Sequence, residues 1–507
     1  MDLREKDKPG TAGIRADDAA ETFRWPEERR RATPPATPEQ PEALSPAWHS
    51  WAQRALLLGG TLISLWVLLV PAPAGLSVAG KTAAAIFLFC TTLWVTNIVP
   101  FGVTGLLAIS LLGILGAMRP SEAFAAFGNS AVFFLIGVFI IGGALVDSGL
   151  SKRLALLFLR PFERSPYAFA TGMMLVAAFG TLWMPNQATS AMLFPICIEV
   201  ALALRLRQAG SAYAKVLFLS LAWGAMIGSN ASMLGSTRAA LALGMLSESY
   251  GRTITFTQWV VASLPMVLLA LAVAPVVLRF CFPREAVQFM AARSLLERSV
   301  LEMGRASRRQ WTVGLVVILT IAAWIFLGDR VDLAIISIFG ATLLFATRAI
   351  SWAEAEKRIF WNIVLMYGGA IALGVAIDRT GAARWLVETY MTGVSIPPLL
   401  AVAAAVIGTM LLSEFMSNVA AVAVMLPLAY SLGDQLGASP MALTLATSIG
   451  AGLDFALPFS SAPNTIVFAS GYLRMTDLVK AGGIMTVASV LIVWLVAWLW
   501  WPVIGLI

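Results

Sequence analysis

The sequence predicts an all-α polytopic membrane protein built as an inverted repeat, and three observations predict it. The 507 residues are 59% hydrophobic and only 12% charged, roughly half the charge of a soluble chain. Apolar runs of about 20 residues, long enough to cross a bilayer, recur from residue 52 almost to the end. Two polar motifs, MPNQATSAMLFP at 184–195 and MSNVAAVAVMLP at 416–427, interrupt apolar regions and share Met, Asn, Ala, Ala and Pro at the same offsets. A β-barrel would show alternating polarity, and the runs do not alternate.

From the N-terminus, residues 1–50 mix charges with the Pro-rich run RATPPATPEQPEALSP. No apolar core follows the basic cluster, so a cleaved signal peptide is not expected, and the segment reads as a disordered cytoplasmic tail. Spans are expected at 52–71, 82–98, 100–117, 131–149, 213–248, 258–280, 311–327, 331–347, 361–378, 440–471 and 482–505. Those at 213–248 and 440–471 are too long for one plain helix and contain breakers. The regions 166–206 and 395–433, each broken by one of the two motifs, are expected as re-entrant hairpins, which leaves eleven crossings. With the N-terminus inside, Arg153, Arg160, Arg164, Arg205, Arg207 and Lys215 fall on the cytoplasmic side. The basic loop 281–310, Arg348, Lys357, Arg358, Arg474 and Lys480 fall there too, which is the positive-inside pattern. Counting each hairpin as one crossing would put 281–310 outside. The chain therefore divides into a tail (1–50), a first half (51–280), a cytoplasmic linker (281–310) and a second half (311–507). The C-terminus is expected outside, in the plasma membrane.

The repeat extends beyond the motifs. FLIGVFIIGGALVDSG at 134–149 parallels LMYGGAIALGVAIDRTG at 365–381, and MLGSTRAALALG at 233–244 parallels PFSSAPNTIVFASG at 458–471. Five crossings separate the copies, so the second is inverted. Inverted repeats with broken helices near the midplane are the layout of secondary transporters. A break in hydrocarbon leaves backbone groups unpaired unless protein, water or ligand satisfies them. Freed N–H groups suit an anion, and freed carbonyls suit a cation.

Composition excludes other classes. The net charge of +7 is explained by cytoplasmic loops rather than by nucleic acid. Cys90, Cys197 and Cys281 are scattered, and the single histidine is His49, so a zinc site or a histidine triad is not expected. No GxSxG, HExxH or paired-aspartate motif is present, which argues against a membrane-embedded enzyme. Paired breaks and hairpins argue against a channel.

At these motifs the sequence resembles the divalent anion/sodium symporter family, over about residues 52–507. The matching residues are Pro185-Asn186-Gln187 and Ser417-Asn418-Val419 at the two tips, SEFMSN at 413–418, Gly235-Ser236-Thr237-Arg238-Ala239 in the first loop, and Ser461-Ala462-Pro463-Asn464 within LPFSSAPNTIVFASGYL. The resemblance implies an elevator-type homodimer carrying di- or tricarboxylates or sulfate, with sodium as coupling ion and no other cofactor. It implies substrate contacts at Asn186, Gln187, Thr189, Ser236, Thr237, Arg238, Asn418, Val419, Ser461, Ala462 and Pro463. It implies one sodium site at Thr181, Asn186 and Gly235, and a second at Ser413, Ser417, Asn418, Ser460 and Ala462. Three departures stand out. Pro185 removes a hydroxyl and a backbone donor, and Val419 removes a hydroxyl, while Gln187 adds an amide. An exchanger without sodium and an arsenite-type antiporter of the wider superfamily are the alternative readings.

Three charges lie at depth. Arg238 is expected either to hold an anion, preferably bidentately, or to replace the cation lost at the Pro185 tip; a structural role is the alternative. Asp454 is expected to pair with Arg238, bind a cation or carry a proton, with the salt bridge slightly preferred. Glu414 is expected to orient Asn418 or pair with a base. Asp147 and Asp378 read as ordinary helix ends, and Trp498, Trp500 and Trp501 as an aromatic belt.

Overall fold

The computed structural model describes residues 51–391 and 397–507. The expected tail at 1–50 and residues 395 and 396 of the expected second hairpin lie outside the described residues. Among the described residues the regular structure is helical, with no strand. In the first half the helices are α1 (Trp51–Leu69), α2 (Val78–Thr96), α3 (Phe101–Ile114), α4 (Pro120–Ala125), α5 (Ser130–Asp147), α6 (Leu150–Leu159), α7 (Pro166–Gly180), α8 (Asn186–Ala203), α9 (Ala212–Gly228), α10 (Thr237–Tyr250) and α11 (Phe256–Cys281). The linker contains α12 (Met290–Glu302). The second half continues with α13 (Arg308–Leu327), α14 (Leu333–Ala346), α15 (Trp352–Arg358), α16 (Trp361–Arg379), α17 (Ala382–Met391), α18 (Pro398–Ser413), α19 (Asn418–Leu436), α20 (Pro440–Gly450), α21 (Ala462–Phe468) and α22 (Met475–Leu499). By length and composition, eight helices of the described residues suffice to cross a membrane, and seven shorter apolar helices accompany them.

Helix starts follow local chemistry. Helices α7 and α20 begin with Ser-Pro: Ser165 and Ser439 accept the N–H groups of Ala168 and Ala442, and the proline takes a first-turn position that needs no donor. Capping boxes open α11 at Thr255 and α13 at Ser307. Both copies of the repeat turn sharply after their aspartate. Gly149 and Gly381 have φ of +74° and +73°, a conformation that a Cβ would strain. Beyond each glycine follows a short helix, α6 or α17, that the span pattern did not contain.

The packing repeats as the helices do. Helix α3 lies on α16 and α14 on α5, α2 on α3 and α13 on α14, α9 against α7 and α8, and α20 against α18 and α19. Glycines set the closest approaches. A Cβ on Gly369 would lie 2.3 Å from the Gly105 Cα, and one on Gly137 would lie 2.6 Å from the Ser337 Oγ. A Cβ on Gly224 would lie 2.2 Å from the Met174 carbonyl oxygen, and one on Gly450 would lie 2.6 Å from that of Val406. Met174 and Val406 each lie twelve residues before the tip asparagine. Helices α9 and α20 therefore meet equivalent points of α7 and α18.

Two readings are revised. Trp501 is only 1% exposed and belongs to the core. Its Nε1 donates to the Ala262 carbonyl at 3.1 Å, while Trp500 Nε1 donates to that of Val261 at 2.8 Å. Pro265 sits inside α11 and cannot donate to Val261, four residues back. Trp500 supplies that missing donor. Asp147 is more than a helix end, because it pairs with Arg358 of the second half.

Candidate functional site

The site is built from four interruptions: the tips 181–185 and 414–417, and the breaks 229–236 and 451–461. At the first tip the Asn186 N–H donates to the Gly235 carbonyl at 3.0 Å, and Ser232 Oγ donates to that of Leu182 at 2.9 Å. Thr181 is fully buried; its hydroxyl donates to the Ala178 carbonyl at 2.7 Å. A Cβ on Gly235 would fall 2.3 Å from the Thr181 carbonyl oxygen, so only glycine allows this tip and break to touch. Thr181, Asn186 and Gly235, the expected first sodium set, are thus brought together. Gln187 is half-buried. Thr189 Oγ1 and Ser236 Oγ are buried with no hydrogen-bond partner. Thr237 is half-buried, and its carbonyl accepts from Tyr367 Oη.

At the second tip Ser417 Oγ accepts the Ala420 N–H at 3.2 Å as the cap of α19. Ser413 Oγ donates to the Met410 carbonyl at 3.0 Å. Asn418 Nδ2 donates to Asp454 Oδ1 at 3.3 Å, while Val419 is buried. Glu414 forms no ion pair among the described residues. Its two oxygens accept the Ala456 and Leu457 N–H groups, each at 3.1 Å, so it braces the second break. Ser460 Oγ donates to the carbonyls of Asp454 and Leu457. Ser461 Oγ contacts Met226 Sδ of α9 at 3.3 Å. Ala462 and Pro463 start α21. Among the described residues no hydrogen bond joins the 185–189 tip to the 417–419 tip.

The preferred salt bridge between Arg238 and Asp454 is not formed. Arg238, 2% exposed, donates through Nε to the Ser448 carbonyl at 2.7 Å and through Nη2 to Asn230 Oδ1 at 2.7 Å. It takes part in no ion pair among the described residues. The physical reason is reach: from the first turn of α10 the guanidinium meets the free carbonyl at the end of α20 before any carboxylate. Gly452 provides the space, since a Cβ there would lie 2.0 Å from Arg238 Nη2. Arg238 therefore ties the first break to the second. Asn230 is fixed in turn, as its carbonyl accepts from Trp259 Nε1 at 3.1 Å.

Asn230, Ser448, Gly452 and Asn464 were not among the expected site residues. A signal existed for Asn230, an amide in the middle of a long span, and for Asn464, inside the quoted loop motif. Nothing local marks Ser448 or Gly452. Cavities of about 310 Å³ and 280 Å³ lie away from the centre, one between α6, α8 and α12 and one between α5, α10 and the 328–334 turn.

Over residues 49–507 the sequence matches the family described as the sodium:sulfate symporter transmembrane region. It is similar to a sodium-dependent dicarboxylate transporter, SdcS, of Staphylococcus saprophyticus subsp. saprophyticus, with 26% identity over 478 residues, covering 89% of this chain and 92% of that one. It is equally similar to SdcS of Staphylococcus aureus, with 26% identity over 474 residues, covering 88% and 91%. Among solved structures it is similar in fold to the Alcanivorax borkumensis YdaH transporter, at TM-score 0.52 and 14% identity over 88% of this chain and 98% of that one. Neisseria gonorrhoeae MtrF gives TM-score 0.51 and 13% identity over 88% and 94%.

Proposed function

The chain belongs to the sodium:sulfate symporter family, and on that premise we propose that it is a cation-coupled secondary transporter of small divalent anions. The observation that carries this reading is Arg238, a buried guanidinium bonded to neutral oxygens rather than to a carboxylate. Arginine keeps its charge in proteins. Its burial costs several kcal/mol, which an arriving dianion offsets. The unpartnered hydroxyls of Thr189 and Ser236 support substrate contacts at the first tip. The names of the relatives, sodium-dependent dicarboxylate transporters, support a dicarboxylate as cargo and sodium as coupling ion.

In this proposal eleven helices cross the plasma membrane, the N-terminus is cytoplasmic and the C-terminus is outside. The hairpins 166–206 and 395–433 enter from opposite sides, and with the two broken helices they slide as an elevator within a homodimer. Substrate meets both tips together with Ser236, Thr237, Ser461, Ala462 and Pro463. Sodium in the second half meets Ser413, Ser417, Asn418, Ser460 and Ala462. At the first site, Thr181, Asn186 and Gly235, the proline at 185 withholds a hydroxyl, and Arg238 supplies fixed positive charge nearby. That same pairing favours a second reading, anion exchange without sodium.

Proteoliposome uptake tests the proposal, with succinate, citrate, sulfate and an amino acid as cargo and with sodium, proton and counter-substrate gradients varied singly. Uptake of a divalent anion driven by a sodium gradient is expected. Exchange indifferent to sodium selects the second reading. Arg238→Gln abolishes anion uptake and anion-dependent thermal stabilisation, and Arg238→Lys, which keeps the charge, retains part of both. Unchanged uptake and cation dependence in Arg238→Gln would sink the assignment.

A further inference from the structure

Asp454 lies in the second break and is 0% exposed. One carboxylate oxygen, Oδ1, accepts from Asn418 Nδ2; the other, Oδ2, is buried with no donor. Asn464, also 0% exposed, wraps the same stretch. Its Nδ2 donates to the carbonyls of Asp454, Phe455 and Leu457 at 3.2, 3.4 and 3.2 Å. That use of the amide nitrogen leaves Asn464 Oδ1 buried and without a donor. Ser460 Oγ gives its single proton to main-chain carbonyls at 2.7 and 2.8 Å, so its lone pairs face outward as acceptors. Ser460 and Asn464 spend their donors on main-chain carbonyls and Asn418 gives an N–H to Asp454, and a carboxylate oxygen and an amide oxygen are left over. Buried acceptors of this kind require a partner, and hard oxygen ligands suit a hard cation.

We propose that Asp454 is the charged ligand of a monovalent-cation site formed with Asn464, Asn418 and Ser460, at which a carboxylate does the work expected of neutral hydroxyls. Of the expected set, Ser417 Oγ caps Ala420, and Ser413 and Ser460 give their protons to main-chain carbonyls and offer lone pairs only, so Asp454 supplies the charge that these hydroxyls lack. The charges at depth set the valence. Within the spans and their tips the buried charged residues are Arg238, Glu414 and Asp454. Glu414 is held by two backbone N–H groups and Arg238 by Ser448 and Asn230, so neither neutralises Asp454. Asp454 therefore keeps a single negative charge of its own, with no base bonded to it. One monovalent cation of the sodium class balances it. A divalent ion would overshoot and would find only one free carboxylate where its sites take several.

This inference rests on the transporter reading for its physiological meaning, but its test requires no transport. Purified full-length protein in choline chloride is titrated with sodium, lithium and potassium chlorides without any anionic substrate, and thermal melting is followed. The protein is expected to be stabilised saturably by sodium or lithium over potassium. Asp454→Asn, isosteric but neutral, is expected to weaken that response by roughly tenfold or more, while Ser110→Ala, on the exposed side of α3, leaves it in place. If Asp454→Asn lowers the yield of folded protein, Asn464→Ala, which removes the other unpartnered oxygen, is measured instead with the same expectation. Equal sodium response in wild type and both variants, or no sodium response in wild type, overturns the assignment. Loss of sodium-driven uptake with an intact Asp454-dependent melting response would instead defeat the transport reading and leave the cation site standing.

Discussion

Arg238 owes its position to an absence of atoms as much as to its hydrogen bonds. Gly452 leaves the volume that the guanidinium enters, and a methyl group there would sit 2.0 Å from Nη2. Gly452→Ala is therefore expected to push Arg238 off Asn230 and to destabilise the protein by about 1–3 kcal/mol, the usual cost of overfilling a packed core. The anion-dependent thermal shift should fall with it. A variant that melts normally and keeps the shift would show that the guanidinium tolerates displacement. The charge at depth was legible in the sequence, because a lone arginine in an apolar span draws notice. Its partners were not. Ser448 lies 210 residues away, and the acceptor is a main-chain oxygen freed by a helix end, which any residue type would provide. The preference for Asp454 as partner followed charge alone and ignored reach.

At the scale of elements, the paired glycines decide how closely α9 can approach α7 and α20 can approach α18. Gly224→Ala, whose Cβ would strike the Met174 carbonyl at 2.2 Å, should lower the melting temperature, and Gly450→Ala should act at the equivalent contact. Gly483→Ala in α22 meets nothing within 4 Å and should be neutral or slightly stabilising, since alanine is the better helix former. Melting curves of the three variants decide the matter; losses at 224 and 450 no larger than at 483 would mean that these contacts do not set the cost. The long spans and both tips were readable because breakers such as Pro185 and Ser417-Asn418 punctuate uniform apolar sequence. Helices α4, α6, α12, α15 and α17 escaped notice. They are short, several carry mixed charge, and a hydropathy pattern sees such segments as loops.

Across the whole molecule, the linker does more than join two halves. Phe289 packs its ring on Phe169 of α7 at 5.2 Å, and Glu285 Oε2 accepts from Ser211 Oγ and the Tyr213 N–H at 2.7 and 2.9 Å. From α6, Arg153 donates to the carbonyls of Met303 and Gly304 at 2.8 and 2.9 Å, and to Gln310 Oε1 at 3.0 Å. A cation at a helix C-terminus satisfies carbonyls that the helix leaves free. Arg153→Ala should therefore loosen α12, raising amide exchange over 290–305 by about tenfold, as the loss of charge-assisted bonds implies. Exchange mass spectrometry reads this directly, and unchanged protection would show that apolar packing alone holds the strap.

The indole of Trp500 has a further consequence, which concerns the order in which the protein is made. The ribosome delivers Pro265 and its unpaired Val261 carbonyl more than two hundred residues before it delivers Trp500. For that interval the Val261 carbonyl lies without the donor that the Trp500 indole later brings. A nascent chain arrested short of Trp500 never receives it.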